Sequence, residues 1–211
     1  MSHVQVSRSK EPIRLFKSDF LEFFTHIHPA VVVAIWAPVA AYFLVSAIVR
    51  RPAGMTAAYI PLAFAAGLFV WTFAEYVLHR FVFHFRPRGP LQERISFLFH
   101  GVHHAQPMSK TRLVMPPAVS IPMSAVMYGL FYLLLAVAFG APHLVAPSFA
   151  GFIVGYLCYD MLHYSMHHVN LKSRYLKYIR SHHMRHHGQT PNQRYGVSSP
   201  LWDWVFGTEP A

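Results

Sequence analysis

The sequence predicts an all-α integral membrane protein: four transmembrane helices carrying a histidine-rich cap on one side. Three observations predict it. Four long stretches are almost free of charge, the basic residues are distributed unevenly between the connections, and eleven of the sixteen histidines cluster at the ends of two of those stretches or in the loops beside them.

The composition sets the frame. Hydrophobic residues make up 54% of the 211, aromatics 16% and charged residues only 12%, well away from a soluble average. The first span is predicted over about 30–49, twenty residues without a charge. The second is apolar from 57 to 74, where Glu75 interrupts it, and is predicted to end near 78. The third covers 118–139, and the fourth, 144–164, meets Asp160 and His163 before its end. A hydrocarbon core of roughly 30 Å takes about 20 apolar residues in a helix. Four soluble helices this apolar would have no polar face to turn to water.

Orientation follows from counting Lys and Arg by connection. Four precede the first span, six lie between the second and third and six follow the fourth, against Arg50 and Arg51 alone on the other side. Sixteen against two predicts that both termini and the long 80–117 connection are cytoplasmic. The formal net charge of +10 is then explained by topology and contact with anionic headgroups, and no nucleic acid is implied. The expected setting is a bacterial inner membrane or the endoplasmic reticulum membrane.

Two regions result, 1–28 as an N-terminal interfacial amphipathic segment and 29–211 as the membrane domain. No short apolar core with a cleavage pattern opens the chain, so no signal peptide is expected. Between Pro12 and Pro29, the residues Ile13, Phe16, Phe20, Phe23, Phe24 and Ile27 recur at helical spacing beside Arg14, Lys17 and Glu22. That pattern predicts a helix lying in the membrane surface. Cys158 is the single cysteine, which excludes a disulfide framework, CxxC redox chemistry and a CxxCH haem attachment.

The histidines form HRFVFH (His79, His84), HGVHH (His100, His103, His104), HYSMHH (His163, His167, His168) and HxxHH (His183, His186, His187). All fall on the side already assigned as cytoplasmic without reference to any histidine. Residues three and four apart share a helix face, so each of the last three clusters can turn two or three imidazoles toward one centre. His79 and His84 are five apart, about 140° around an ideal helix, and need a helix end, a bulge or two different metals. Imidazole suits Zn, Cu, Fe and Ni, and one ion takes only some of so many ligands, so ten or eleven convergent rings imply two metals. No Glu-x-x-His pair offers carboxylate ligands, and the donors should be nearly all nitrogen. Glu75, one turn before His79, and Asp160, three residues before His163, are placed to accept an Nδ1–H bond and orient a ligand ring. His3, His26, His28, His143 and His182 lie outside the clusters and are not expected to bind metal. Gly151 and Gly155 form a GxxxG, read as packing within the bundle in preference to dimerisation.

These clusters resemble the fatty acid hydroxylase/sterol desaturase superfamily of membrane di-metal oxygenases, over most of the chain from His79 to Thr208. RLFKSDFLEFF before the first span, RLVMPPA at Arg112 to Ala118 and YGVSSPLWDWVFGT at Tyr195 to Thr208 bring the resemblance closest to the fatty acid 2-hydroxylases. The resemblance implies metal ligation by His79, His84, His100, His103, His104, His163, His167, His183, His186 and His187. His168 matches a further histidine often found in the family. With Glu75 and Asp160 it is an additional candidate for binding metal or orienting a ligand. The resemblance further implies two iron ions, with zinc also welcomed by imidazole, O₂ as cosubstrate, and hydroxylation of a fatty acyl chain or membrane lipid at C2.

Eukaryotic members commonly carry a cytochrome b5 domain ahead of this region. The roughly thirty residues preceding the first span here, and the lack of a GxGxxG, lead to the expectation of a separate electron donor, such as a cytochrome b5-like protein or a ferredoxin with its reductase. The same ligands would equally serve a sterol desaturase or oxidase, or a carotenoid hydroxylase. A non-catalytic metal-binding or transport protein is a more distant alternative, since transport would place ionisable ligands inside the spans.

Overall fold

The computed structural model describes residues 6 and 11–210. His3, Arg8 and Lys10 lie outside the described residues. Every regular element among the described residues is helical. In chain order these are α1 (Asp19–Phe23), α2 (Pro29–Val49), α3 (Tyr59–Val77) with a π-helical turn Leu78–Phe83, and α4 (Pro90–Ser96) with a π turn Phe97–Gly101 leading into α5 (Val102–Ala105). Then follow α6 (Pro117–Phe131) with a π turn Tyr132–Ala138, a 3₁₀ turn Pro142–Leu144 before α7 (Val145–His168), α8 (Arg174–Gly188) and α9 (Leu201–Val205). Four of these stretches, Pro29–Val49, Tyr59–Phe83, Pro117–Ala138 and Pro142–His168, are long and apolar enough to cross a bilayer. The chain is a multi-pass membrane protein.

The chain divides into two compact units, 30–72 with 115–158, and 1–29 with 73–114 and 159–211. The first unit is apolar helix packed on apolar helix. With no hydrophobic force between helices in lipid, close approach and polar pairing hold them together. A Cβ at Gly67 would fall 1.8 Å from the Ser148 carbonyl oxygen, one at Gly151 1.9 Å from that of Phe64, and one at Gly155 2.6 Å from Trp71 Cβ. The GxxxG face is therefore occupied within the chain, by α3 against α7. Trp36 Nε1 donates to Ser120 Oγ at 3.2 Å, a buried bond from α2 to α6. Rings of Trp71, Phe152 and Tyr156 fill the space around the glycine contacts, while Leu62, Val126, Leu133 and Val137 remain exposed, as lipid-facing residues do.

The second unit has a polar interior. Its fully buried side chains include His79, His183, His186, Asp160 and Asp203 beside Tyr76, Met166, Ile179 and Val197. Here the N-terminal segment departs from expectation, because only Asp19–Phe23 is helical. Side chains capture the backbone that a longer helix would need. The Glu22 carboxylate accepts from Leu15 N and Phe16 N at 2.9 and 2.8 Å, and Arg14 donates to the carbonyls of Phe16 and Lys17. Ile13 N donates to Gln106 Oε1 at 2.8 Å, and Arg112 donates to Glu22 Oε1 and to the Ile13 carbonyl. Two of the stretches that carried the resemblance, RLFKSDFLEFF and RLVMPPA, thus meet through Glu22 and Arg112.

Candidate metal centre

Three short helical features aim the histidines. The end of α3 widens into a π turn, in which His84 N donates to the His79 carbonyl at 3.0 Å, an i to i+5 bond. A π turn takes one extra residue per turn, so it brings two histidines five apart onto one side and disposes of the 140° difficulty. A second π turn, Phe97–Gly101, carries His100 into α5 with His103 and His104. The helix α8 is capped by Ser173, whose Oγ accepts from Leu176 N at 3.1 Å. It buries Ile179, His182, His183 and His186 on one face.

The ten predicted rings converge, in two groups of five. His79, His84, His100, His104 and His186 form the first, and His103, His163, His167, His183 and His187 the second; within each group one nitrogen per ring lies within 4.8 Å of all the others. Every donor is an imidazole. Each HxxHH is shared out: the members four apart stay together, His100 with His104 and His183 with His187, while His103 and His186 go to the other group. The groups adjoin, with the His104 and His187 ring centroids 4.3 Å apart.

The donor chemistry fits cations. His79 Nδ1 lies 2.5 Å from the Tyr195 carbonyl oxygen and His186 Nδ1 2.7 Å from that of Gln193. A carbonyl only accepts, so these rings carry their proton on Nδ1 and present bare Nε2 lone pairs inward. Those nitrogens point at others: His79 Nε2 lies 3.1 Å from His100 Nε2, and His84 Nε2 lies 3.2 Å from His104 Nε2 and 3.0 Å from His186 Nε2. In the second group His183 Nε2 lies 3.0 Å from the Nε2 atoms of both His167 and His187. Converging lone pairs repel unless a positive centre lies among them.

Burial, and then repulsion between neighbouring rings, holds His84, His100, His103, His183, His186 and His187 well below the ordinary imidazole range. His104 is pushed down to about 3. The rings are therefore neutral at physiological pH, the state a metal requires of them.

The remaining candidates fall outside both groups. His168 packs its ring against Tyr164. His182 lies between Asp203 Oδ2, at 3.2 Å, and Glu209 Oε2, at 2.9 Å. His26 contacts Thr111 Oγ1 and Arg112, and His143 packs on Tyr59. Asp160 is buried at 1% exposure. Glu75 does not take the His79 Nδ1–H, as its position one turn earlier suggested. Its carboxylate accepts instead from Val197 N, Ser198 N and Ser198 Oγ, and the Tyr195 carbonyl takes the His79 proton. Sequence reasoning missed the part played by 193–198. Its one signal was the motif YGVSSPLWDWVFGT, which carried a resemblance and no role.

An all-helical membrane protein with two adjoining sets of five imidazole donors defines a class, the histidine-built membrane metalloproteins. A family model for fatty acid hydroxylase matches residues 64–208, and the chain belongs to the fatty acid hydroxylase family, whose members are enzymes. It is 37% identical to dihydroceramide fatty acyl 2-hydroxylase FAH2 of Arabidopsis thaliana, over 93% of this chain and 80% of that protein. It is also 37% identical to fatty acid 2-hydroxylase of Mus musculus, over 98% of this chain and 58% of the mouse protein. A solved structure of full-length scs7p, in which only the hydroxylase domain is visible, matches with a TM-score of 0.82 at 37% identity, over 92% of this chain and 70% of that one.

Proposed function

We propose that the chain is a lipid hydroxylase that inserts one oxygen at C2 of an acyl chain, using O₂ and two electrons from a separate donor. The observation that carries this reading is the division of ten convergent imidazoles, nine of them buried, into two adjoining groups of five. Two iron ions held there, one by each group, would supply the oxidant that an unactivated C–H bond requires and amino-acid side chains do not provide. The protein's own part is to keep the rings neutral, turn their Nε2 atoms inward and exclude water. Dihydroceramide acyl chains and fatty acids, named for the relatives, share a C2 beside a carbonyl, and an acyl group of that kind is the substrate class favoured here.

Sixteen of the eighteen Lys and Arg residues support an orientation with the histidine groups and both termini on the cytoplasmic side. Phe20 and Phe23, 71% and 73% exposed, fit insertion of the N-terminal segment at the lipid boundary. The activity is tested by lipid mass spectrometry on cells expressing the wild type or His186→Ala. Lipids gaining one oxygen are expected only with the wild type; identical lipid profiles would refute the reading.

Lys172, Arg174 and Lys177 are exposed at the start of α8, whose inner face carries His183 and His186, and form a basic surface for an acidic electron donor. Reversing Lys172 and Lys177 to glutamate is expected to raise the donor KM by roughly tenfold and flatten its salt dependence. Unchanged turnover and salt response would remove this surface from consideration.

A further inference from the structure

The segment 193–198 is fixed to an unusual degree. Five consecutive backbone N–H groups have defined acceptors: Arg194 N donates to the Thr208 carbonyl at 3.0 Å, and Tyr195 N and Gly196 N donate to the two oxygens of Asp203 at 2.8 and 2.7 Å. Val197 N and Ser198 N donate to Glu75 Oε1 at 2.6 and 2.7 Å. Both carboxylates are buried, Glu75 at 3% and Asp203 at 0% exposure. Asp203 is itself steadied by Thr208 Oγ1 at 2.7 Å and His182 Nε2 at 3.2 Å.

The backbone reaches this geometry under constraint. Arg194 sits at φ 60, a left-handed conformation that is unfavourable for a non-glycine residue and persists where the surroundings impose it. A Cβ at Gly196 would fall 2.1 Å from the Ser199 carbonyl oxygen and 2.9 Å from Asp203 Oδ2, so glycine is needed for the carboxylate to close on the chain. A loop required only to connect α8 to α9 would not need two buried carboxylates and a strained arginine.

What this rigidity aims is two carbonyl oxygens. The Tyr195 carbonyl holds the His79 ring and the Gln193 carbonyl holds the His186 ring, and both rings belong to the first group although they come from different helices. In the second group, the Nδ1 atoms of His103, His167, His183 and His187 are buried without a hydrogen-bond partner among the described residues, as is that of His84 in the first.

We infer that Glu75 and Asp203 are positioning residues for the first histidine group alone, acting through the 193–198 backbone to fix the tautomer and orientation of His79 and His186. The inference rests on the reading of the two groups as metal sites. It gives five residues of the YGVSSPLWDWVFGT motif a physical role. Tyr195 supplies the carbonyl, Gly196 the clearance, Ser198 a hydroxyl to Glu75, Asp203 the second clamp, and Thr208 a brace on Asp203.

The test is zinc binding by the full chain in detergent, measured as metal per chain and by competition with a graded series of chelators, with thermal unfolding followed in parallel. The wild type is expected to hold two ions. In Glu75→Gln and in Asp203→Asn, one site weakens by roughly 10–100-fold, the range seen when such supporting partners are removed, while the other keeps its affinity. Ser198→Ala, which removes a single bond to Glu75 and preserves the fold, weakens the same site by a smaller factor. Placed in a His104→Ala background, where the first site is already crippled, Glu75→Gln adds nothing; in a His167→Ala background it weakens the site that remains. Retention of both ions at wild-type affinity in all three variants overturns the inference, as does parallel weakening of both sites by Ser198→Ala. A wild type that takes up no metal would instead bring down the metal reading itself.

Discussion

Acidifying the purified protein from about pH 7.5 to about 5.5 will release any metal held by the two histidine groups and lower its melting temperature steeply, because the buried histidines titrate in the unfolded chain and not in the folded one. The sign follows from the direction of the shifts. His84, His100, His103, His183, His186 and His187 are held well below their ordinary value and His104 lies at about 3, whereas an unfolded imidazole protonates near 6.5. Below about 6.5 the unfolded state binds protons that the folded state refuses. This contribution to stability is therefore complete above that value and is lost as the pH falls toward the folded values. Each ring costs about 1.4 kcal/mol per pH unit in that window. Several rings titrating together approach the whole stability of an ordinary domain, about 5–15 kcal/mol. Bound metal sharpens the effect, since protons compete for the same nitrogens.

Asp203 is shifted in the same direction but titrates in a more acidic window and does not interfere. Burial alone would raise its carboxyl, but bonds from His182, Thr208, Gly196 N and Tyr195 N hold it below the ordinary carboxylate range, so its contribution persists until the pH falls through that lower value. Differential scanning fluorimetry across the pH series, with metal measured after desalting, checks the prediction. An unchanged melting temperature between the two pH values would show that the histidines are not buried as neutral rings.

The histidine set was legible because ligand spacing is a helical property: residues three or four apart face one way whatever surrounds them. Its division was not. His103 and His104 differ by one position, and which of two adjoining centres each serves depends on where α7 and α8 bring the other rings. The π turn at Phe97–Gly101 was equally hidden, since one residue inserted into a helix leaves no compositional trace, whereas that at Leu78–Phe83 was signalled only by the five-residue spacing of His79 and His84. The N-terminal segment misled for a related reason. Its apolar spacing is helical, but Glu22, Arg14, Gln106 and Arg112 bind the backbone that the helix would have used, and the distant partners Gln106 and Arg112 cannot be read from local pattern. The acceptors for His79 and His186 are backbone carbonyls, which any residue type could provide. Only the fixed geometry around them demands particular side chains, and that is why Glu75 and Asp203 stood out from the sequence less than the ligands did. The spans, by contrast, depend on length and apolarity alone and are visible in any window of the right size.

Replacing Gly151 with alanine will destabilise the protein by roughly 2–3 kcal/mol, at the upper end of ordinary overpacking. The direction is the informative part. A glycine inside a helix normally weakens it by about 0.5–1 kcal/mol relative to alanine, so the same substitution at an open position should stabilise. Gly129 is such a position, with nothing within 4 Å of its added Cβ, whereas at Gly151 that atom would lie 1.9 Å from the Phe64 carbonyl oxygen and 3.0 Å from Leu68 N. The obstacle is backbone, which has no rotamer to escape into, so α7 must move away from α3. Gly67→Ala probes the same contact from the other side, against the Ser148 carbonyl oxygen at 1.8 Å. Because the two substitutions force the same separation, their costs should fall short of additive in the double variant. Thermal unfolding in detergent of Gly129→Ala, Gly151→Ala, Gly67→Ala and the double variant measures all of this. If the GxxxG served association between chains instead, Gly151→Ala would shift the oligomeric state in light scattering and leave the stability of the single chain unchanged. A melting temperature raised by Gly151→Ala, as by Gly129→Ala, would mean that the helices are not in contact at that glycine.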